Sequence, residues 1–386
     1  MFERLAFPHF YSLLAGSGAL AEWVLAHWLL SRFLHVSLPM TGDAAALVLL
    51  AAGNAWAARV YRAGRGPRLR LAAAVLRGGF AALGAAAALA SITALTAATE
   101  LLDVLPARAG LAHLVEAERP GGDGGSWLAL IAAGLAATLV GYGYRHGHRR
   151  LIVTKYRLPI AGLAPEFAGF RLVHVSDLHL GHFADLDFVQ DAWTRVRALA
   201  PDIVCVTGDL VDGPATDLAA WIPALAPLDA PGGVFAILGN HDAAAGAERV
   251  RAAVTHGTHW RLLADEVVPI ARGDSMLLLG GLADPEAAAV RLWPTPQILL
   301  AHHPRVFPAA AARGVALTLA GHTHGGQIAV PGLPRLNVAR FFTSFDAGWF
   351  KRGAACLHVS RGVGASGQPL RIGVPAEITL IELVPA

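Results

Sequence analysis

From about residue 170 the chain alternates short apolar runs with stretches of helical periodicity, a pattern that predicts strands separated by helices. The strands expected are 170–176, 203–207, 234–238, 276–280, 297–301 and 316–320, with later ones near 356–359 and 377–383. Helices are expected over 186–199 and 247–255. Such alternation belongs to an α/β domain. The first 150 residues read differently. Apolar runs at 11–34, 44–60, 71–98 and 126–143 each approach the ~20 residues that a membrane helix needs, so four transmembrane helices are expected. The second run is the shortest and carries Asn54 and Arg59; Glu22 and His27 interrupt the first. Glu22 is assigned no catalytic role. A cleavable signal peptide would have a shorter apolar core and no further spans.

Composition supports this division. The 386 residues are 55% hydrophobic and 15% charged, with a mean hydropathy of +0.49, and the excess lies in the first 150. Two domains are expected: a membrane region over 1–150 and an α/β domain over 151–386. Arg62, Arg65, Arg68 and Arg70 follow the second span, and Arg145, Arg149, Arg150, Lys155 and Arg157 follow the fourth. Between the third and fourth, Glu100, Asp103, Glu116, Glu118 and Asp123 face only Arg108 and Arg119. By the positive-inside rule, both termini and the second domain are cytoplasmic, in a multi-pass protein of the cell membrane. The net charge of +3 is then membrane topology, and nucleic acid is not expected as a partner. Cys205 and Cys356, both in apolar runs, read as small core residues.

The chemistry gathers where the strands end. "SDLHLG" places Asp177 and His179 after the first strand, and "TGDLVD" places Asp209 after the second. "GNHD" supplies Asn240 and His241, "AHHP" supplies His302 and His303, and "AGHTHGGQ" supplies His322 and His324. One Asp or His after a strand is an ordinary turn former or helix cap, the reading given to Asp185, Asp202 and Asp217. Five such endings form a constellation at the strand ends where open α/β sheets bind ligands. On an extended backbone, residues i and i+2 share a face, so His322 and His324 can aim at one point, which permits a metal without demanding one. The donors mix carboxylate, amide oxygen and imidazole, and are numerous enough for two transition ions sharing a carboxylate.

In these blocks (DxH, GDxxD, GNHD, a later histidine and GHxH, in order over about 170–386) the chain resembles the calcineurin-like metallophosphoesterases. Its flanking text is similar to a bacterial branch that is often membrane-anchored. The resemblance implies a four-layer α/β/β/α sandwich, preceded here by an all-α transmembrane region. It implies Asp177, His179 and His324 on one divalent ion and Asn240, His302 and His322 on a second, with Asp209 bridging. It prefers His302 to His303, makes His241 the general acid and has Asp212 orient it. Manganese, iron or zinc fits the donors, and a hydroxide held between two such ions would attack the phosphorus. Gly325 and Gly326 are expected to bring the backbone close to metal or phosphate. The expected substrate is a phosphorylated small molecule or lipid; membrane attachment suggests a lipid-linked one, such as the nucleotide-activated glycolipid pyrophosphates that some relatives of this branch cleave. The segment 340–353 is aromatic and basic enough to touch a membrane interface or, equally, to pack as a core loop. The alternative function is a metal-binding regulatory module without hydrolase activity.

Overall fold

The computed structural model describes residues 123–181, 184–214 and 216–386, with 19–20, 22–23, 47–57, 71 and 75 of the preceding segment. In the helix α1 (Asp123–Arg145) side chains are described from Gly134. The chain divides into two compact units, Met1–Tyr142 and Gly143–Ala386.

In the first unit the expected spans 11–34 and 71–98 fall almost wholly outside the described residues. Of the second span, residues 47–57 are helical, and there Asn54 Nδ2 donates to Glu22 Oε2 at 3.0 Å. Glu22 thus has a polar partner. Among the described residues no helix is long and apolar enough to cross a membrane. The expected all-α transmembrane region is therefore not shown.

The second unit is a sandwich of two mixed sheets. In chain order the strands are β1 (Leu151–Ile160), β2 (Phe170–Val175), β3 (Ile203–Thr207), β4 (Val234–Ile237), β5 (Arg261–Leu262), β6 (Glu266–Arg272), β7 (Ser275–Gly281), β8 (Ile298–Leu300), β9 (Leu317–Ala320), β10 (Ala329–Val330), β11 (Leu333–Asn337), β12 (Gly348–Arg352), β13 (Ala355–Val359) and β14 (Ala376–Pro385). One sheet runs β1-β14-β2-β3-β4-β5, the other β12-β13-β9-β8-β7-β6, and β10 and β11 form a separate hairpin. Strands β2, β3 and β4 are mutually parallel, as are β7, β8, β9 and β13.

Period-2 alternation builds the layers. On β3, Ile203 and Cys205 enter the core between the sheets with Leu279, Ile298 and Leu319, while Val204 and Val206 face helices. Those helices are α2 (Leu186–Ala198), which contributes Val189, Trp193 and Val196, and α3 (Ala247–Gly257), which contributes Val250 and Val254. Trp193 is fully buried and its Nε1 donates to Ala224 O at 2.7 Å. Truncating an aromatic of that kind costs about 3–5 kcal/mol. On the far side of the second sheet, Leu299 packs with Val306 and Ala310, completing an α/β/β/α stack.

Asp185 caps α2 by accepting from Asp187 N and Asp217 accepts from Ala219 N, the local roles expected of them, whereas Asp202 makes long-range contacts, accepting from Arg171 N at 2.7 Å and facing Arg272 Nη1 at 3.4 Å. Cys205 and Cys356 are buried and free. Strand β1 is absent from the sequence expectation. Its Lys155 and Arg157 read as membrane-flanking charges, whereas here β1 pairs along β14 and Arg157 Nε donates to Glu382 Oε1 at 3.1 Å.

Candidate metal centre

Because β2, β3 and β4 run parallel, as do β8 and β9, the loops at their C-terminal ends meet at one end of the sandwich. There the backbone departs from regular structure. Eight non-glycine residues have positive φ among those described, and five of them are Asp177 (53°), His179 (45°), Asp209 (52°), His322 (71°) and His324 (52°). The left-handed region is unfavourable for side-chain-bearing residues, and such strain concentrates where tertiary structure imposes a functional geometry.

The side chains converge as two linked groups. In one, His179 Nε2 lies 3.0 Å from His324 Nε2, and His324 Nε2 lies 3.4 Å from Asp177 Oδ1. In the other, Asn240 Oδ1 is 2.9 Å from both His302 Nε2 and His322 Nδ1, which are 3.3 Å apart. Asp209 stands between them, its Oδ2 3.3 Å from His302 Nε2 and 3.6 Å from His179 Nε2. All seven sequence-identified ligand candidates are thus brought together. Asp177, His179 and His324, and likewise Asp177, Asp209 and His302, have donor atoms within 4.8 Å of one another. Two imidazole nitrogens facing at 3.0 Å need a proton or a cation between their lone pairs. The mixed oxygen and nitrogen donor set suits divalent transition ions.

The electrostatics are those of a buried cationic site. Burial pushes the Asp177 carboxyl up, but His324 and His302 outweigh it and hold Asp177 well below the usual carboxylate range. Asp209 is held low in the same way, burial being overcome chiefly by His302 and His241. Burial lowers His302, yet the Asp209 charge reverses this and raises it to about 10. His322 and His324 lack so strong a counterweight, and burial drives both down, His324 to about 4. Neutral imidazole is the ligand form.

Several sequence expectations change. His322 and His324 do not aim at one point: both are left-handed, so the i, i+2 rule of extended chain fails, and each joins a different group. Asp212 lies beside two histidines, since donor atoms of His179, Asp212 and His241 fall within 4.8 Å of one another. His241 Nδ1 donates to the Asp212 backbone carbonyl at 2.7 Å, while Asp212 Oδ1 lies 3.4 Å from His179 Nδ1. His241 Nε2 faces Ser366 Oγ at 3.4 Å. His303 accepts from Arg305 N at 3.1 Å, capping the next turn, and stacks on His322 with centroids 4.4 Å apart. Two further glycines lie against the ligand carboxylates. A Cβ at Gly321 would lie 2.2 Å from Asp177 Oδ2, and one at Gly239 would lie 2.1 Å from Asp209 Oδ1.

Two buried residues of the site carry no signal of their role in the sequence. Asp242 accepts from Leu210 N, Val211 N and Gly239 N at 2.8–3.1 Å, tying the Asp209 loop to the Asn240 loop. Burial and the nearby Asp209 charge raise it to about 7. Arg371 is 1% exposed and donates to Arg361 O at 2.8 Å and Gly362 O at 3.1 Å, behind His324. Only its D in "GNHD" made the first visible at all, and the second lies in a loop with no pattern.

Residues 170–326 match the family model described as calcineurin-like phosphoesterase. The chain is 33% identical over 268 residues to the "Uncharacterized metallophosphoesterase YkuE" of Bacillus subtilis, covering 66% of this chain and 93% of that protein. It is 29% identical to the "Phosphodiesterase YaeI" of Escherichia coli over 65% of this chain and 96% of that one. A "Transmembrane protein with metallophosphoesterase domain" from Danio rerio is 29% identical over 66% of this chain and 62% of its own length.

Proposed function

The chain belongs to the calcineurin-like phosphoesterase family of metal-dependent phosphoric ester hydrolases, and on that premise we propose that it is a membrane-anchored enzyme with a dinuclear centre acting on a phosphate ester or pyrophosphate, with a lipid-linked substrate favoured. The observation that carries the reading is the convergence of six donor side chains from both sheets around a seventh, Asp209. Asp177, His179 and His324 would hold one divalent ion, Asn240, His302 and His322 the other, with Asp209 shared. When bound, the ions supply Lewis acidity, an activated water and neutralisation of the phosphoryl oxygens.

The chain's own residues complete the chemistry. The Nδ1–H of His241 is committed to the Asp212 carbonyl, so its Nε2 is the atom that delivers a proton to the departing oxygen. The Asp242 carboxylate holds the Asp209 and Asn240 loops in register. Gly321 and Gly239 leave space for the two carboxylates beside them.

Membrane anchoring is supported by the apolar runs and flanking arginines of residues 1–150, with both termini cytoplasmic. The Danio rerio relative is itself named a transmembrane protein. A reporter fused after Ala386 should behave as cytosolic, and its export would overturn the topology. The test of function is hydrolysis by the metal-loaded full chain of a panel of phosphomonoesters, phosphodiesters and lipid-linked pyrophosphates, alongside elemental analysis. Turnover of no member of the panel, or full activity without metal, would overturn the proposal.

A further inference from the structure

Shortly after the His324–Gly326 turn, the chain leaves the sandwich as the β10–β11 hairpin, followed by a 3-10 turn, Val338–Phe341. Its large apolar side chains face outward: Phe341 is 85% exposed, Phe342 76%, Leu336 60% and Leu333 55%. Single exposed apolar residues are ordinary, but a local group of them bordered by charge marks a contact surface.

The hairpin has an ordered polar base. Asn337 is buried, and its Nδ2 donates to Pro334 O at 2.9 Å and to Asp346 Oδ2 at 2.6 Å. Asn337 Oδ1 accepts from Arg340 N at 3.2 Å, and Val338 N donates to Ile328 O at 3.0 Å. The hairpin also rests on the metal turn itself. Gly326 has φ +74°, and a Cβ there would lie 2.4 Å from Ala339 N. That packing, with the positive φ, requires a glycine at 326.

The charge is one-sided. Between residues 328 and 352 the basic residues Arg335, Arg340, Lys351 and Arg352 are all exposed, and the one acid, Asp346, is buried against Asn337. Apart from glycine and proline, the exposed side chains of 329–342 are apolar or cationic. A protein partner would ordinarily be met with neutral hydrogen-bonding groups as well. Aromatic and aliphatic side chains interleaved with arginine suit a headgroup boundary, where the rings enter the acyl region and the guanidinium groups meet anionic phosphates.

We propose that residues 329–342 are a docking surface for an anionic lipid bilayer, inserting Phe341 and Phe342 while Arg335 and Arg340 hold headgroup phosphates. Because the hairpin is built on the turn that carries His324, docking would present the metal centre to lipid-linked substrate. This consequence rests on the proposed function; the docking itself does not.

The test uses the full chain reconstituted in vesicles whose acyl chains carry nitroxides, with and without an anionic lipid. An environment-sensitive fluorophore is placed at Phe341→Cys and, as reference, at Glu248→Cys, whose native side chain is 90% exposed. The native cysteines are buried. The probe at 341 should be quenched and blue-shifted in anionic vesicles, less so in neutral ones, while the probe at 248 is not. Adding Arg335→Glu with Arg340→Glu should abolish the anionic preference. Phe341→Ser with Phe342→Ser should leave hydrolysis of a soluble p-nitrophenyl phosphoester unchanged, so a failure of docking and a failure of the phosphoesterase reading are seen separately. Equal quenching at 341 and 248 in anionic vesicles would overturn the proposal. So would chain-to-chain crosslinking through position 341 without lipid quenching, which would assign the face to self-association.

Discussion

Two clusters of buried histidine lie close together along β2 and its end, and they differ in kind. Within the strand, His174 Nδ1 meets His358 Nδ1 at 2.9 Å, and His174 Nε2 meets Thr207 Oγ1 at 2.8 Å. Thr207 Oγ1 in turn donates to Ser176 Oγ at 2.7 Å, and His358 Nε2 faces Thr379 Oγ1 at 3.4 Å. One choice of tautomers satisfies this chain with both rings neutral, and both residues sit on regular strands. Just past the strand end, Asp177, His179 and His324 bring a carboxylate and two imidazoles together on left-handed backbone. Burial of histidine is common to both. Left-handed backbone and the crowding of carboxylates with imidazoles mark only the second, and that mixed donor set is the one suited to a cation.

The strongest way to break this comparison is Asp209→Ala. It removes the carboxylate between the two groups, so both ions and the activated water should be lost, lowering turnover by about 10⁴-fold or more. His358→Gln in the other cluster should leave metal content and turnover as they are. If Asp209→Ala keeps wild-type metal and rate, the sharing role is wrong.

His241→Ala separates proton transfer from metal binding within the centre. Metal content should stay constant while kcat falls about 10²–10⁴-fold, the range for a lost general acid. The deficit should shrink for p-nitrophenyl esters, whose leaving group needs little protonation. Loss of an ion, or an equal deficit with good and poor leaving groups, would remove His241 from that role.

A smaller effect is expected at Asp212, where backbone and side chain act on different histidines. Asp212→Asn keeps the carbonyl that holds His241 but weakens the charge facing His179 Nδ1. Metal affinity should fall about 10–100-fold, as for other groups that orient a ligand. Metal titration against leaving-group dependence checks this, since a change in the latter alone would restore the carboxylate as the partner of His241.

The smallest effect concerns stability. Burial lowers His358 to about 4 and pushes His174 well down from the ordinary value of 6.5. Between those values the unfolded chain binds more protons than the folded one, so stability is present above about pH 6.5 and is lost as pH falls towards 4. His358 alone should account for a loss on the order of 3 kcal/mol, and His174 acts in the same direction. Melting curves across that range should show it, and His358→Gln should flatten the slope.

The identity of the centre was legible because ligand chemistry restricts residue types, and apolar runs ending in Asp, Asn or His five times over are seldom produced by turns alone. Strands β2, β3 and β9 were legible for a similar reason, since a strand buried on both faces is largely apolar along its length. Edge strands fared worse. β1 and β12 carry Lys155, Arg157, Lys351 and Arg352, because one side of an edge strand meets water and its pattern merges with that of a loop.

What the sequence determined by itself was the order of the ligand blocks, the α/β class of the second domain and the two cysteines' place in the core, all of which follow from local residue type and period. Tertiary structure decided the rest of the centre. The left-handed backbone at Asp177, His179, Asp209, His322 and His324 sends neighbouring residues to different groups, and no spacing rule for regular elements foresees that. The exchange at Asp212, the clip made by Asp242 and the support given by Arg371 depend on distances between loops far apart in the chain. A residue's type limits what it can bind, but which partner it meets is set by the packing that brings two sheets and their loops to one point.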